Sequence, residues 1–190
     1  MCTLPEPRRL PGDLAMWFFI LAELTVFALL ILAFAIARLL APQVFAEGRA
    51  QLDTSTGLAM TLSLLTAGLF AALAVHQVRI GKARQGGVLL AGALLVALVY
   101  VWIKLGEYAH LSGIGLGLEH GVFFTLYWIL TGFHFLHVLL GMAILGWLAM
   151  RCFGGASLVP SLSGLESGVL YWHMVDLVWV VLFPLVYVMR

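Results

Sequence analysis

The stretch LAMWFFILAELTVFALLILAFAIA, residues 14–37, carries one ionisable side chain, Glu23, among apolar residues. A helix that crosses a bilayer needs about 20 predominantly apolar residues, whereas the apolar core of a secretory signal has only about 7–15. The stretch exceeds that signal length and is followed by Arg38 rather than by a clear cleavage site. It therefore predicts a transmembrane helix, with Asp13 placed to cap its start.

Four further apolar stretches of similar length lie at residues 54–78, 87–108, 121–150 and 165–189. The chain of 190 residues is 63% hydrophobic and 10% charged, against about 45–50% and about 25% in soluble domains. The segments between the stretches are short and carry no soluble domain. We therefore expect an all-α integral membrane bundle of five transmembrane helices, with residues 1–190 forming a single transmembrane domain.

Lysines and arginines between the stretches are distributed unevenly between the two ends of the expected bundle. One end has six, namely Arg8, Arg9, Arg79, Lys82, Arg84 and Arg151, and the other has three, namely Arg38, Arg49 and Arg190. The positive-inside rule then puts the N-terminus in the cytoplasm and the C-terminus outside. The net charge is +1, so the composition gives no basic field that would attract nucleic acid.

Ionisable side chains inside the stretches are informative because a charged group in hydrocarbon costs about 2.5–3.5 kcal/mol on insertion scales. With a helical rise of about 1.5 Å per residue, five of them are expected in the cytoplasmic half of the membrane: Glu23, His134, His137, His173 and Asp176. The two pairs at i,i+3 spacing each share a helix face. We therefore expect a buried polar cluster that joins the first, fourth and fifth helices.

This cluster has four interpretations that the residues alone leave open. It fixes the bundle through hydrogen bonds between helices, it handles protons near neutral pH, its histidines ligate haem as in a b-type cytochrome, or it is the site of a small membrane transporter.

Cys2 and Cys152 are isolated and form no disulfide or Cys/His pattern, so we predict no bound metal.

Lys104 and Glu107 stand three residues apart near the outer end of the third stretch, beside Tyr108. Long basic side chains near a membrane boundary extend toward the interface, where aromatic residues are also common. We therefore expect an ion pair at the outer end of this helix, with Lys104 extended toward water, rather than a transport site.

Four motifs occur in a specific order: MWFFILAEL at residues 16–24, EY at 107–108, TGFHFLHVLLG at 131–141 and YWHMVDLVW at 171–179. In this order and in these helices they resemble subunit III of the haem–copper oxidases, and the resemblance extends over all five stretches. The opening LPGDLAMWFF, residues 10–19, is most similar to the short five-helix member associated with bacterial nitric oxide reductase.

The resemblance implies a non-catalytic protein that binds no haem or copper itself, packs against a haem-containing catalytic subunit I and supports its activity, with phospholipid as a further ligand. The implied partner is nitric oxide reductase, which acts in denitrification, and the alternative is a cytochrome c or quinol terminal oxidase. The implied location is a bacterial inner membrane. Seven-helix members have two helices before the first one matched here.

The resemblance also matches Glu23 to a buried carboxyl group that lies near the histidine matched by His134. The two residues are expected at similar membrane depth. An unpaired carboxylate in an apolar helix is costly. We therefore expect a hydrogen bond or close contact between Glu23 and His134 across the first and fourth transmembrane helices.

Overall fold

The computed structural model describes residues 13–154 and 161–189, which form helices and connecting turns without a strand. The helices are α1 (Leu14–Leu40), α2 (Pro42–Ala50), α3 (Thr54–Arg79), α4 (Ala83–Gly113), α5 (Val122–Phe153) and α6 (Leu162–Phe183), and α6 continues as a π-helical segment, Pro184–Val188. Within the described residues, five helices are long and apolar enough to cross a membrane. The predicted all-α bundle with five spans is confirmed. Cys2, Arg8, Arg9, Arg190 and the first three residues of the LPGDLAMWFF motif lie outside the described residues.

Each predicted stretch coincides with one long helix, apart from a few residues at the ends. The largest difference is at α4, which covers Ala83–Gly113 rather than residues 87–108. Its first and last turns contain basic and polar residues, which lower the hydropathy. These residues do not interrupt the backbone hydrogen bonds, so the helix extends further than its apolar part.

The short helix α2 is not predicted by hydropathy. It begins at Pro42, where the missing N–H of proline leaves no helical hydrogen bond unmade. Phe45 packs edge-to-face on Phe34 of α1 and on Phe123 of α5, with ring centroids 5.1 and 5.4 Å away. A Cβ atom at Gly48 would overlap the Phe123 ring, so this close approach requires glycine. Aromatic packing thus holds α2 across the ends of α1 and α5.

The long helices differ in how much of their surface they bury. α3 and α4 pack against each other along their length, and both carry fully buried alanines, including Ala67 and Ala97. Small side chains allow helix backbones to approach closely in a membrane. α1 instead buries a single stripe, Ile20, Phe27 and Phe34, against α5 and α6. Most of the α1 surface therefore faces outward and is apolar.

Pro184 changes the geometry at the end of α6. Proline has no N–H to donate, and the chain continues as a π-helical turn in which the Met189 N–H bonds to the Pro184 carbonyl at 2.8 Å. Tyr187 in this turn is only 1% exposed. The wider turn thus keeps the Tyr187 hydroxyl inside the bundle, next to the polar residues of α4.

Candidate functional site

One enclosed polar group is the lysine cluster, which we define as Lys104, Glu107, Tyr127 and Tyr187. The Lys104 Nζ atom donates hydrogen bonds to Glu107 Oε2 at 2.8 Å and to the hydroxyl oxygens of Tyr127 and Tyr187 at 3.0 Å each. An ammonium group has three protons, so all of them are used. The Tyr187 hydroxyl in turn donates to the Glu107 carboxylate at 2.9 Å.

The Lys104 side chain has no exposed surface and that of Glu107 has 9%. The Tyr108 and Tyr127 ring centres lie 4.7 and 4.8 Å from the ammonium nitrogen, where aromatic faces stabilise a cation. The ion pair forms, but the expectation that Lys104 extends toward water is wrong. α4 continues to Gly113, nine residues beyond Lys104, or about 14 Å at about 1.5 Å per residue. The helix end is therefore beyond the reach of the lysine.

His134 of α5 is fully buried. Its Nε2 atom lies 3.1 Å from the Val175 carbonyl oxygen of α6, and its Nδ1 atom lies 3.2 Å from the Tyr100 hydroxyl of α4. A carbonyl only accepts, so Nε2 carries a proton, and Nδ1 of the neutral ring accepts from the Tyr100 hydroxyl. His134 therefore joins three helices, and haem ligation through it would break one of these bonds.

Glu23 of α1 pairs with His137 of α5. The Glu23 Oε2 atom lies 3.0 Å from His137 Nε2, and His137 Nδ1 donates to the Phe133 carbonyl at 2.8 Å. Since the proton on Nδ1 is committed to that carbonyl, the bond between Nε2 and the carboxyl group requires one more proton. This proton lies on Nε2, giving an imidazolium and a carboxylate, or on the carboxyl group, giving two neutral partners. The pair thus holds one proton that can move between the two residues.

The Glu23–His137 pair is less enclosed than the lysine cluster. The side-chain exposures are 21% for Glu23 and 10% for His137. The rings of Phe27 and Phe133 cover His137, with centroids 5.1 and 4.5 Å from the imidazole centre. The Glu23 side chain has no such cover among these contacts and remains partly exposed on the surface of the bundle.

His173 and Asp176 form a third pair within α6, with 3.1 Å between Nδ1 and Oδ2. Asp176 is 9% exposed and packs on Gly68 of α3, where a Cβ atom would overlap its carboxylate. His173 is 41% exposed and lines a groove of about 290 Å³ between α3 and α6, which ends at the ion pair of Arg79 and Glu166. This pair belongs to the interface of α3 and α6.

The five residues expected in one cluster thus divide into three sets, and the predicted bond between Glu23 and His134 is wrong. Glu23 pairs with His137 instead. Positions three residues apart on a helix differ by about 60° around its axis. This rotation turns His134 toward α4 and α6 while His137 faces α1. Membrane depth and a roughly shared helix face cannot distinguish a Glu23–His134 pair from a Glu23–His137 pair.

Three tyrosines that complete these sites, Tyr100, Tyr127 and Tyr187, are not predicted from the sequence. Tyr100, Lys104 and Tyr108 recur at every fourth residue of α4, a spacing that puts them on one helix face. Tyrosine on both sides of a lysine at this spacing indicates a buried polar face. Tyr127 and Tyr187 have no comparable local signal, because their contact with Lys104 depends on how α5 and the π-helical segment pack against α4.

Comparison with known proteins gives this arrangement a family. The sequence model described as cytochrome c oxidase subunit III matches residues 12–190. The chain belongs to the cytochrome c oxidase subunit III family. As a subunit III-family chain with five candidate membrane spans, it is a multi-pass membrane protein.

Several curated relatives are similar to this subunit III-family chain. Cytochrome c oxidase subunit 3 of Schizophyllum commune is 35% identical over 72% of this chain and 50% of its own length. The subunit 3 of Synechocystis sp. is 39% identical over 50% of this chain and 40% of its own length. The heme-copper oxidase subunit I+III of Aeropyrum pernix is 30% identical over 91% of this chain and 22% of its own length. The chain therefore spans about half or less of the length of these relatives.

Proposed function

We propose that this chain is a non-catalytic membrane protein that associates with the haem-containing subunit I of a haem–copper-type respiratory reductase and supports its activity. The observation that carries the proposal is the subunit III family match over residues 12–190. The relative from Aeropyrum pernix, whose name joins subunits I and III in one protein, supports a direct association between the two kinds of subunit.

The location we propose is a bacterial inner membrane, with the N-terminus in the cytoplasm. This orientation rests on the excess of lysine and arginine at the end of the bundle that contains Arg79, Lys82 and Arg84. In this orientation the Glu23–His137 pair lies in the cytoplasmic half of the membrane and the lysine cluster lies in the outer half.

The Glu23–His137 pair is the proposed functional site. It holds a single proton between two bases, and its carboxyl group is partly exposed on the surface of the bundle. A group of this kind can take up a proton from one side and release it to an adjoining protein or water file. The lysine cluster is proposed to be structural, because each of its ammonium protons already has an acceptor.

Nitric oxide reductase is the specific partner we propose, and the support is the LPGDLAMWFF motif at residues 10–19. A cytochrome c or quinol oxidase is the alternative, favoured by the names of relatives such as the subunit 3 of Synechocystis sp.. Phospholipid bound beside the pair is part of either proposal, because the partly exposed Glu23 carboxyl group needs a polar neighbour in the membrane.

Co-purification from native membranes in mild detergent tests the association. We expect a haem protein to accompany the chain, and the purified complex should consume nitric oxide if the partner is the reductase or oxygen if it is an oxidase. Deletion of the chain should lower this activity while the catalytic subunit keeps its haem spectrum.

Three outcomes would contradict the proposal. Recovery of the chain alone, from membranes that contain both enzymes, would refute the association. A Soret band carried by the isolated chain would favour a b-type cytochrome. Marked stabilisation of the isolated chain by one particular solute would favour a transporter.

A further inference from the structure

The groove between α3 and α6 has a size and a lining that suit a ligand dissolved in the membrane. Its volume is about 290 Å³, close to the lower end of the range of about 300–1,000 Å³ that is usual for small-molecule sites. Apolar side chains, including Val75, Val169 and Leu170, form most of its walls. Both helices belong to candidate membrane spans, so a ligand reaches the groove from the bilayer.

The ionic groups of the groove already have partners. Among the described residues that line it, Arg79 and Glu166 are the arginine and the carboxylate, and they pair at 2.7 Å. Asp176, which lies behind the groove, is paired with His173. Transfer of an unpaired ionic group into apolar surroundings is costly, and the groove offers neither a phosphate nor an ammonium group an unpaired counter-charge. The ligand that suits this lining is therefore neutral.

Two histidines bring hydrogen-bonding groups to this apolar groove, one from each wall. His173 Nδ1 of α6 lies 3.1 Å from Asp176 Oδ2. A carboxylate only accepts hydrogen bonds, so the Nδ1 proton is committed to it, and Nε2 is left as an acceptor in the neutral ring or as a donor in the imidazolium. His76 of α3 is exposed and lines the opposite wall. The lining thus suits polar ligand atoms that either accept or donate.

The two imidazoles lie at different levels of the groove. The His173 ring packs beside Gly68 of α3, where a Cβ atom would lie 3.3 Å from it. His76 follows eight residues later in α3, which corresponds to about 12 Å at about 1.5 Å per residue. Apolar side chains occupy the walls between these levels. This spacing suits an apolar ring with an oxygen atom at each of two opposite positions, each forming a hydrogen bond of about 2.8 Å.

We propose that this groove binds the head ring of a membrane quinone or of its quinol, with one ring oxygen bonded to His173 Nε2 and the other to His76. A quinone oxygen accepts from an imidazole N–H, and a quinol hydroxyl also donates to an unprotonated ring nitrogen. Both forms of the ring are therefore bound by the same two residues, while the apolar tail extends into the bilayer. Binding alone is proposed, without electron transfer, and it does not depend on which reductase is the partner of the chain.

Photolabelling of the whole chain in phosphatidylcholine nanodiscs tests this site, with a short-tailed azido-ubiquinone as the probe. We expect the label on the peptides of α3 and α6 that border the groove, and we expect excess decylubiquinone to prevent it. His76→Leu should lower the labelling about tenfold, the scale of one lost hydrogen bond. His110→Leu, which replaces another exposed histidine in the last turn of α4, is the matched control and should be labelled as the wild type is.

A second pair of variants keeps both histidines in place. Ala72 is exposed and lines the groove, so Ala72→Phe fills the groove without disturbing the core. Ala59→Phe adds the same ring at an exposed position of α3 outside the groove. We expect the first variant to lose the label and the second to keep it, and equal labelling of the two would overturn the proposal. Equal protection by decylbenzene, which has the tail but no ring oxygen, would also overturn it, in favour of a groove for hydrocarbon tails.

Discussion

Two of the acid–base pairs in the bundle, Lys104–Glu107 and Glu23–His137, differ in how far their ionisable groups are enclosed. In the lysine cluster, Lys104 and Glu107 are 0% and 9% exposed, and two tyrosine hydroxyls use the remaining ammonium protons. In the second pair, Glu23 and His137 are 21% and 10% exposed and share a single proton. The first pair is enclosed and each of its ammonium protons has an acceptor, whereas the carboxyl group of the second is partly exposed. This difference is why we propose a structural role for the first pair and a functional role for the second.

The closed pair should therefore be the more sensitive of the two to substitution. Lys104→Met leaves the Glu107 carboxylate buried without its cation, and breaking a buried pair in this way costs about 3–5 kcal/mol of folding free energy. We expect the variant to unfold at a much lower temperature, or to be recovered poorly, in circular dichroism measurements in detergent.

The double variant Lys104→Met with Glu107→Leu is the control for this prediction. It removes both charges, and replacement of a buried ion pair by apolar residues is often close to neutral. It should therefore be more stable than the single variant. If Lys104→Met alone unfolds at the temperature of the wild type, the cluster does not stabilise the bundle.

Substitution of His134 should give the second largest loss of folding free energy. His134→Leu leaves the Tyr100 hydroxyl without its acceptor inside the bundle, at a cost of about 1–3 kcal/mol. His137→Leu should cost less, because the Glu23 carboxyl group that it leaves without a partner is partly exposed. Thermal unfolding of both variants checks this order. Tyr100→Phe measured alone and combined with His134→Leu gives the coupling energy of the hydrogen bond, and a coupling of zero would contradict the assigned contact.

The sequence predicts some members of these pairs and not their partners. Long apolar stretches predicted the five spans, because the requirement for apolar length is local to each helix. The residues Glu23, Lys104 and Glu107 could be singled out for the same reason, since an ionisable group in an apolar helix is conspicuous by itself.

The partners could not be predicted in this way. Whether Glu23 meets His134 or His137 depends on a helix rotation of about 60°, and hydropathy does not specify rotation. α2 has too little apolar length to be predicted from hydropathy. Its position depends on the packing of Phe45 against Phe34 and Phe123, which are brought together only in the folded chain. Tyr187 reaches Lys104 because the chain forms a π-helical turn after Pro184.

Substitution of Glu23 should lower the turnover of the complex more than it lowers the stability of the fold. Glu23→Gln keeps a donor and an acceptor for His137 but cannot release a proton, so folding should survive while proton-coupled turnover of the co-purified complex in proteoliposomes falls. Glu23→Leu should lower both, because it leaves His137 Nε2 without a partner. Glu119→Gln, in the exposed connection between α4 and α5, is the matched control. Unchanged turnover in Glu23→Gln would show that the pair has only a structural role.

The smallest effect is expected at Asp53, which lies outside the spans and caps α3. The hydroxyl groups of Thr56 and Ser55 and their backbone N–H groups donate to its carboxylate and lower the pKa of Asp53 from 3.8 to about 2. The stabilisation is therefore fully present above pH 3.8 and is lost as the pH falls toward 2. Asp53→Ala should slightly lower the unfolding temperature at neutral pH, and Asp53→Asn, which still caps α3 but carries no charge, should unfold between Asp53→Ala and the wild type. Equal unfolding temperatures for the two variants would show that water replaces the cap.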